Sequence, residues 1–508
     1  MSNVKPLKIK EITVLCLALA SHGCISSGGI APQSKMLNPN QLAPGAAISH
    51  AAQEAGWPIG QWWKAFGDKQ LNRLLDIATR DSPDLASASA RVRQARAIAG
   101  IANSTQSLQV NGDAELRRRN WPDDQFYGPG GLSGSQTWDN SANVGLRYPF
   151  DVWQKEKNSG DRSVDLAHMT AAQEKMAELE IQDSIIQTYI KLALHYSQRD
   201  VVQSVMTQQT QILDLAERRL KGGIGTEFEV AQAQTPVSET LRQIDALNEA
   251  IAIDVNQLEA LAGQGPGQKD ALARPDLSLQ NMPALPSSLP AQLLGRRPDV
   301  VACRWNVAAQ ARGLDVAHAN FYPNINLLGN LGFIASGGDL LAFLSADKRN
   351  YTVGPALSLP IFDGGRLRNE LGEAAAEYDL AVAGYNKTII IAFREVSDQL
   401  IRRSSLDKQS SFIRDSINSA QRTYQLALVG YEQGLSDYLE VLNAQTLLFE
   451  RQKIQQDNQA ERLSSYARLV VALGGGVSDL DAPLPSKTDA PAPRPSFLEM
   501  VDKLVKRS

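Results

Sequence analysis

Three features that are rare or missing in this sequence limit the classes of protein to which it can belong. Only three cysteines and five histidines occur in 508 residues, and neither set has the spacing of a metal site. Acidic and basic residues nearly balance, at 55 against 51, which gives no general case for nucleic-acid binding. The sequence has no run of 18 or more apolar residues, so we expect no transmembrane helix, and any membrane crossing would have to use strands.

Patterns typical of enzymes are missing as well. The sequence contains no GxxxxGK[ST] phosphate loop, and the glycine-rich run at 263–267 begins a proline-rich stretch that does not suit a phosphate site. The histidines are scattered, at positions 22, 50, 168, 195 and 318. We therefore predict no catalytic residues, no metal and no cofactor, and energy for any transport would have to come from another protein.

The N-terminus is typical of an exported protein. A basic region and a short apolar stretch, residues 5–20, precede small residues around Cys24. Cys24 is either an incidental residue beside an ordinary cleavage site or the lipidated first residue of a bacterial lipoprotein, although Ser21 and His22 are atypical of lipoproteins. We favour lipidation of Cys24, because a segment rich in Ser, Gly, Pro, Ala and Asn follows and suits a tether.

The rest of the chain is a duplicated unit. Pro83-Asp84-Leu85 recurs 215 positions later as Pro298-Asp299-Val300, and the segment that begins at Gly223 recurs 211 positions later from Gly434. Two matches in the same order at nearly one offset indicate duplication. We divide the chain into a signal peptide 1–23, a lipid-anchored linker 24–56, a first repeat 57–263, a proline-rich connection 264–290, a second repeat 291–475 and a tail 476–508.

Each repeat contains two segments in which apolar and polar residues alternate. They predict strands near 108–116, 138–150, 325–333 and 351–361, each with one apolar and one polar face. About 10 residues is what a tilted strand needs to cross a bilayer. Four strands cannot close a barrel, so several chains must contribute strands to one barrel, and three chains would give twelve strands. A soluble sandwich with one solvated face is the alternative. Arg117-Arg118-Arg119, at the end of the first strand, are interpreted as interfacial or pore charges.

Long helical patterns separate the strand pairs. In residues 371–396 the apolar positions step by four and three alternately, which is the seam of a coiled coil. Apart from lone glycines, no strong helix breaker occurs in 162–221 or 366–429, and sixty helical residues reach about 90 Å. We therefore predict a mainly α protein in which long helices extend a shared strand barrel as a tunnel.

Several short motifs occur in a fixed order along residues 57–475. They include Trp62-Trp63-Lys64-Ala65-Phe66-Gly67-Asp68, Gly295-Arg296-Arg297-Pro298-Asp299-Val300, Phe321-Tyr322-Pro323, Leu359-Pro360-Ile361-Phe362-Asp363-Gly364-Gly365-Arg366 and Tyr431-Glu432-Gln433-Gly434. Together they resemble the TolC-like outer-membrane factors, in particular the NodT-family efflux lipoproteins. The resemblance implies a homotrimer in the outer membrane, with a shared twelve-strand barrel and a twelve-helix periplasmic tunnel.

The resemblance also implies a function. It is that of the outer-membrane exit duct of a tripartite efflux pump, passively conducting small toxic compounds or drugs. The implied partners are a periplasmic adaptor (membrane fusion) protein, a proton-driven inner-membrane transporter and outer-membrane lipid, with no nucleic acid. A duct for type I protein secretion is a close variant. A trimeric coiled-coil structural or adhesive lipoprotein without a lumen is the alternative from another class, and it would need no barrel-length strands.

The resemblance assigns the two copies of the repeated segment to helix-to-helix turns at the periplasmic tip of the tunnel. The residues expected there for partner docking are Gly223, Thr226, Glu227, Gly434, Ser436 and Asp437. We interpret Thr226 and Ser436 as helix caps. Leu439 and Asn443, one helical turn apart, are the candidate gate. Relatives often carry Asp at the second of these positions, whereas a ring of Asn443 would be neutral.

Overall fold

The computed structural model describes residues 27–38, 60–123, 133–266, 272–277 and 296–477. The elements, in chain order, are the 3-10 helix Trp62–Phe66, α1 Lys69–Asp81, α2 Pro83–Ser104, β1 Gln109–Asn120, β2 Gln136–Phe150, α3 Lys155–Lys221, α4 Glu227–Leu261, α5 Pro298–Ala319, β3 Asn324–Ala335, the short 3-10 turns Ala342–Leu344 and Ala346–Lys348, β4 Arg349–Ser358, α6 Arg366–Glu432 and α7 Tyr438–Ala472. No helix in these ranges is both long and apolar enough to cross a membrane.

The four strands form one antiparallel sheet in the order β1-β2-β3-β4. In its register Ala114 lies opposite Ala142, Ala142 opposite Phe333, and Phe333 opposite Arg349. All four predicted strands are confirmed, although β4 ends at Ser358 rather than at residue 361. The proline at position 360 cannot donate to a ladder, which limits the strand there. Within the described residues, β1 and β4 each keep one edge without a partner strand.

Alternation gives the sheet two different faces. Large apolar side chains share one face and are exposed, and they include Val110, Leu116, Val144, Leu146, Leu331, Tyr351, Val353 and Leu357. The opposite face carries mostly polar side chains, among them Asn111, Asp113, Glu115, Arg117, Asp139, Ser141, Asn143, Arg147, Asn330 and Thr352. An exposed apolar face of this extent needs something apolar to cover it.

The helices pack side by side in a definite order. α3 contacts α2 and α4 as well as α5 and α7, and α6 in turn packs on α5 and α7. α3 and α6 have 67 residues each, which corresponds to about 100 Å of helix. The predicted long helices are therefore confirmed, and each runs beside shorter helices stacked end to end.

The motif at residues 62–68 forms part of the core beside the middle of α3. Trp62 and Phe66 are buried against α3, the end of α4 and Tyr466 of α7. Asp68 caps α1 and accepts hydrogen bonds from the Tyr189 hydroxyl of α3 at 2.7 Å and from the backbone N–H of Asp276 at 2.9 Å. Burial raises the pKa of Tyr189. The motif thus fastens the N-terminal helices to the middle of α3.

Arg297, from the Arg-Arg-Pro-Asp motif, connects three helices through its side chain. Its buried guanidinium pairs with Asp299 at 2.6 Å and with Glu395 of α6 at 2.9 Å, and it donates to the carbonyl of Ala472 at the end of α7 at 3.0 Å. Burial alone would lower the pKa of Arg297, but the hydrogen bonds to the two carboxylates raise it. A buried cation with this many partners fixes the start of α5 against α6 and α7.

Part of the predicted linker is bound to the helices. The backbone N–H groups of Gln33 and Ser34 donate to Asp379 of α6 at 3.0 and 2.7 Å. Further along, Asn386 of α6 accepts from the backbone N–H of Leu37 at 2.8 Å and donates to the carbonyl of residue 35 at 3.0 Å. Residues 27–38 contain no helix or strand and lie along α6 as a strap. Cys24 lies outside the described residues.

Candidate functional site at the paired helix turns

The turn between α3 and α4 is closed by its backbone. Gly223 has φ +74°, and the N–H groups of Ile224 and Gly225 both donate to the carbonyl of Arg219 at 3.0 Å. A Cβ on Gly225 would lie 2.8 Å from the backbone nitrogen of Leu220. Two glycines are therefore needed here, one for a left-handed conformation and one for a close approach.

The turn between α6 and α7 repeats this geometry with different side chains. Gly434 also has φ +74°, and the N–H groups of Leu435 and Ser436 donate to the carbonyl of Gly430 at 2.8 and 3.3 Å. Ser436 occupies the position of Gly225 in the first turn. The predicted helix-to-helix turns are therefore confirmed at both copies of the repeated segment.

The two caps differ, and one prediction was wrong. Thr226 forms a capping box with Glu229: the Thr226 hydroxyl accepts from the Glu229 N–H at 3.2 Å and the Glu229 carboxylate accepts from the Thr226 N–H at 2.9 Å. In the second turn the cap is Asp437, which accepts from the N–H of Glu440 at 3.1 Å. Ser436 lies one residue too early to cap. Asp followed three residues later by Glu is the signal that could have identified it.

A shared core holds the two turns at one end of the molecule. Tyr431 and Tyr438, on either side of the second turn, are buried with Ile212 and Ala216 of α3. The guanidinium of Arg219 from the first turn lies 5.0 Å from the centre of the Tyr431 ring. Burial raises the pKa of Tyr438 to about 12, so its hydroxyl stays neutral. The structure thus places residues of both repeated segments in one core, and their location at the periplasmic tip stays a prediction.

The outer surface of this end is apolar and acidic. Ile224, Phe228 and Leu435 are 72%, 73% and 79% exposed, and the carboxylates of Glu227 and Asp437 are exposed beside them. Phe228 was not among the predicted site residues. It could have been found from the helical register, because the positions that turn inward from the cap are 230 and 233.

The two candidate gate residues lie on one face of α7. Leu439 is 48% exposed and Asn443 is exposed, whereas the opposite face carries the buried Val441 and Ala444. Gln445, also buried, donates to Gln208 of α3 at 3.2 Å. Leu439 and Asn443 therefore lie on the exposed side of α7, and the idea that three copies ring an axis stays a prediction.

Two histidines of the described ranges contact neighbouring side chains of other helices. His168 stacks on Trp305 with ring centres 4.3 Å apart, and its burial lowers its pKa, with a smaller effect from Arg96. His195 lies 2.7 Å from Asp254, which is also 3.0 Å from Lys191. In the part of the chain that the structure describes, no group of three metal-ligating side chains occurs.

Comparison with known proteins identifies the family of this fold. The sequence model of the family described as "Outer membrane efflux protein" matches residues 74–264 and 289–475. The fusaric acid resistance protein FusA of Burkholderia cepacia is 40% identical over 470 residues, which cover 92% of this chain and 88% of that protein. The solvent efflux pump outer membrane protein SrpC of Pseudomonas putida is 29% identical over 462 residues, covering 87% and 97%.

Solved structures show the same architecture. The outer membrane protein VceC of Vibrio cholerae superposes with a TM-score of 0.78 at 29% identity, over 83% of this chain and 100% of that one. The CmeC outer membrane channel of Campylobacter jejuni gives a TM-score of 0.79 at 22% identity, over 89% and 96%. The TolC-like fold expected from the sequence motifs is therefore confirmed.

Proposed function

Because the chain belongs to the outer membrane efflux protein family, we propose that it is the outer-membrane exit duct of a tripartite efflux pump. In this proposal three copies close their sheets into one twelve-strand barrel, and their helices continue the duct into the periplasm. The observation that carries the proposal is that, within the described residues, the sheet ends in the unpartnered edges of β1 and β4, and the order of helix contacts ends in α2 and α4 at one end and in α6 at the other.

One side of the protomer is formed by β1, α2 and α4, and the other by β4 and α6. Both sides expose apolar side chains along the helices: Ile98, Ile101, Leu241 and Ile253 on the first, and Leu380, Ile390, Ile401 and Phe412 on the second. Two different complementary sides produce head-to-tail contacts, which form a closed ring when the rotation closes. Joining β4 of one copy to β1 of the next removes both open sheet edges.

The dimensions of the sheet support a membrane location. From Trp138 to Phe150 strand β2 advances about 40 Å, and a tilt of about 40° reduces its height to about 30 Å, the thickness of the hydrocarbon core. Aromatic side chains mark both ends: Trp138 at one, and the stacked pair of Trp153 and Tyr322, with ring centres 4.6 Å apart, at the other. The apolar face would meet lipid and the polar face would line the lumen.

The strap supports the proposed lipid anchor on Cys24. Gly28 lies beside Arg368, close to the start of α6 and to the sheet, and the strap then runs along α6 away from the sheet. Cys24 precedes Gly28 by four residues, which span about 13 Å when extended. A lipid attached to Cys24 could therefore enter the leaflet nearest the helices without displacing the strap.

The exposed turns are the surface that we assign to the periplasmic adaptor and, beyond it, to a proton-driven inner-membrane transporter. Their apolar residues can be buried by a partner, while the adjacent carboxylates favour a basic one. The names of the relatives refer to fusaric acid resistance and to solvent efflux. By analogy we propose small toxic organic compounds as the cargo, moving passively through the duct.

Two measurements together test the proposal. The purified protein should form ion-conducting channels in a planar bilayer, and deletion of its gene should sensitise cells to small organic toxicants. Folded protein that never conducts would favour the lumen-free coiled-coil lipoprotein. Unchanged toxicant sensitivity combined with loss of a secreted protein would favour a secretion duct.

A further inference from the structure

The three consecutive arginines at the outer end of β1 fall on different faces of the sheet. Arg117 pairs with Glu115, and Arg119 pairs with Asp139 at 3.4 Å, on the polar face. Arg118 points to the apolar face, where its guanidinium lies 5.5 Å from the centre of the Trp138 ring. Within the described ranges Arg118 has no acidic partner. An unpaired cation stacked on an aromatic ring is unusual beside an apolar surface and suggests an anionic ligand.

The connection between β3 and β4, residues 336–348, covers the same face at the same end of the sheet. The side-chain amide of Asn140, which is buried on the apolar face, donates to the carbonyl of Leu340 at 2.7 Å. Phe343, within the connection, is itself buried. Leu344 lines a shallow cavity of about 660 Å³ together with Ala114 and other residues of the apolar face, and Arg349. The connection therefore folds back over the face that would meet lipid.

This connection exposes leucines and is flanked by cations. Leu340, Leu341 and Leu344 are 39%, 65% and 49% exposed. Arg118 contacts Trp138, two residues before the Asn140 that bonds Leu340, and Arg349 lines the same cavity as Leu344. Lys348 is paired with the neighbouring Asp347 at 3.1 Å, which leaves Arg349, with no acidic partner in the described part of the chain, as the second available cation.

We propose that Arg118, Arg349 and the leucines of residues 336–348 form a binding site for a phosphate-bearing acylated lipid of the outer leaflet. Guanidinium groups bind phosphate oxygens in a bidentate manner, and the leucines offer apolar contact to the adjoining acyl chains. The site lies at the end of the sheet farthest from the helices, where Trp138 marks the interface. The inference rests on the proposed function, since it requires the apolar face to meet the membrane.

Native mass spectrometry of the purified protein in micelles doped with diphosphorylated, hexa-acylated lipid A tests the site. The Arg118→Gln, Arg349→Gln double variant should retain roughly tenfold less lipid A than the wild type, because two charge-assisted contacts are lost. The matched control is Arg147→Gln, which removes an exposed arginine from the polar face of β2 and should retain lipid A normally. Leu341→Ser with Leu344→Ser should also weaken retention.

Three further comparisons complete the experiment. Lipid A lacking its phosphates should be retained poorly by the wild type, and inorganic phosphate alone should not displace the intact lipid. Equal retention by the double variant and the control, equal retention of the dephosphorylated lipid, or displacement by inorganic phosphate would each overturn the proposal. Conductance of the same preparations separates the two ideas: conducting channels without lipid selectivity defeat only this site, whereas absence of conductance defeats the proposed function.

Discussion

The two helix turns share a backbone and differ in the side chains that close and cap them. Both have a glycine at φ +74° and two N–H groups donating to one carbonyl of the preceding helix. Yet the first is closed by Gly225 and a threonine capping box, and the second by Ser436 and an aspartate cap. Duplication thus preserved the hydrogen-bonded turn, while the caps and the exposed residues diverged. The backbone geometry carries the fold, and the side chains are free to carry different contacts.

The largest effect is expected in the core common to the two turns. Tyr431→Ala removes a buried ring and its contact with Arg219, and should cost about 3–5 kcal/mol of local stability, as for other large aromatic truncations. Thermal unfolding followed by helical circular dichroism measures the change. Phe228→Ala, on the exposed surface, is the control and should leave the midpoint unchanged. Equal effects of the two variants would mean that the shared core does not hold the turns together.

Glycine at the closing position should matter in the first turn only. Gly225→Ala places a methyl group 2.8 Å from a backbone nitrogen, which should cost about 1–3 kcal/mol. The equivalent position in the second turn already holds a Cβ, because it is a serine. Ser436→Ala should therefore change the free energy of unfolding by less than about 0.5 kcal/mol. The same unfolding assay compares them. Similar losses for both variants would show that the two turns are closed in the same way.

The two caps should contribute equally to stability, although one is a threonine and the other an aspartate. Thr226→Ala and Asp437→Ala should each cost about 1 kcal/mol, the usual value of a helix N-cap. Asp437→Ser is the matched conservative variant and should recover most of the loss. Hydrogen exchange at the first turns of α4 and α7 gives the local measurement. If Asp437→Ala had no effect there, the assignment of that residue as the cap would be withdrawn.

The smallest effect on stability is expected for the exposed residues beside the two turns, where the predicted change is in channel conductance. Replacing Leu439 and Asn443 together with Ala should raise single-channel conductance and sensitise cells to large antibiotics such as vancomycin. Asn443→Asp alone should increase cation selectivity, more at low salt where screening is weaker. Ile224→Ala with Phe228→Ala, on the first turn, is the control and should leave conductance unaltered. Unaltered conductance in the gate variant, with normal assembly, would remove Leu439 and Asn443 from the gate.

Much of the architecture follows from local sequence pattern. Alternation located all four strands, and the absence of helix breakers located α3 and α6, because both signals depend on neighbours a few residues apart. The strap on α6 could not be predicted in this way, since Ser34 and Asp379 are 345 positions apart and the segment has no periodicity. The fold-back of residues 336–348 was missed for a related reason: it depends on Asn140 of another strand.

Some residues of the candidate site could be predicted from the sequence, and others could not. The glycines of both turns were recognisable because a tight turn requires them. The second cap was misplaced by one residue, since Ser436 and Asp437 are both good capping residues and only the backbone geometry decides between them. Phe228 was passed over because its exposure is a property of helix register, which the turn motif alone does not show.

The central claim is that the two open edges of the sheet close against each other between chains. Cysteine pairs placed along residues 110–116 of β1 and 351–357 of β4 test it directly by oxidation in intact cells. Within one chain these edges are about 14 Å apart, three strand spacings, which is beyond the reach of a disulfide. The account predicts a covalent ladder that ends at three chains for the pairs in register. Monomers at every pair, or a ladder that continues past three, would contradict it.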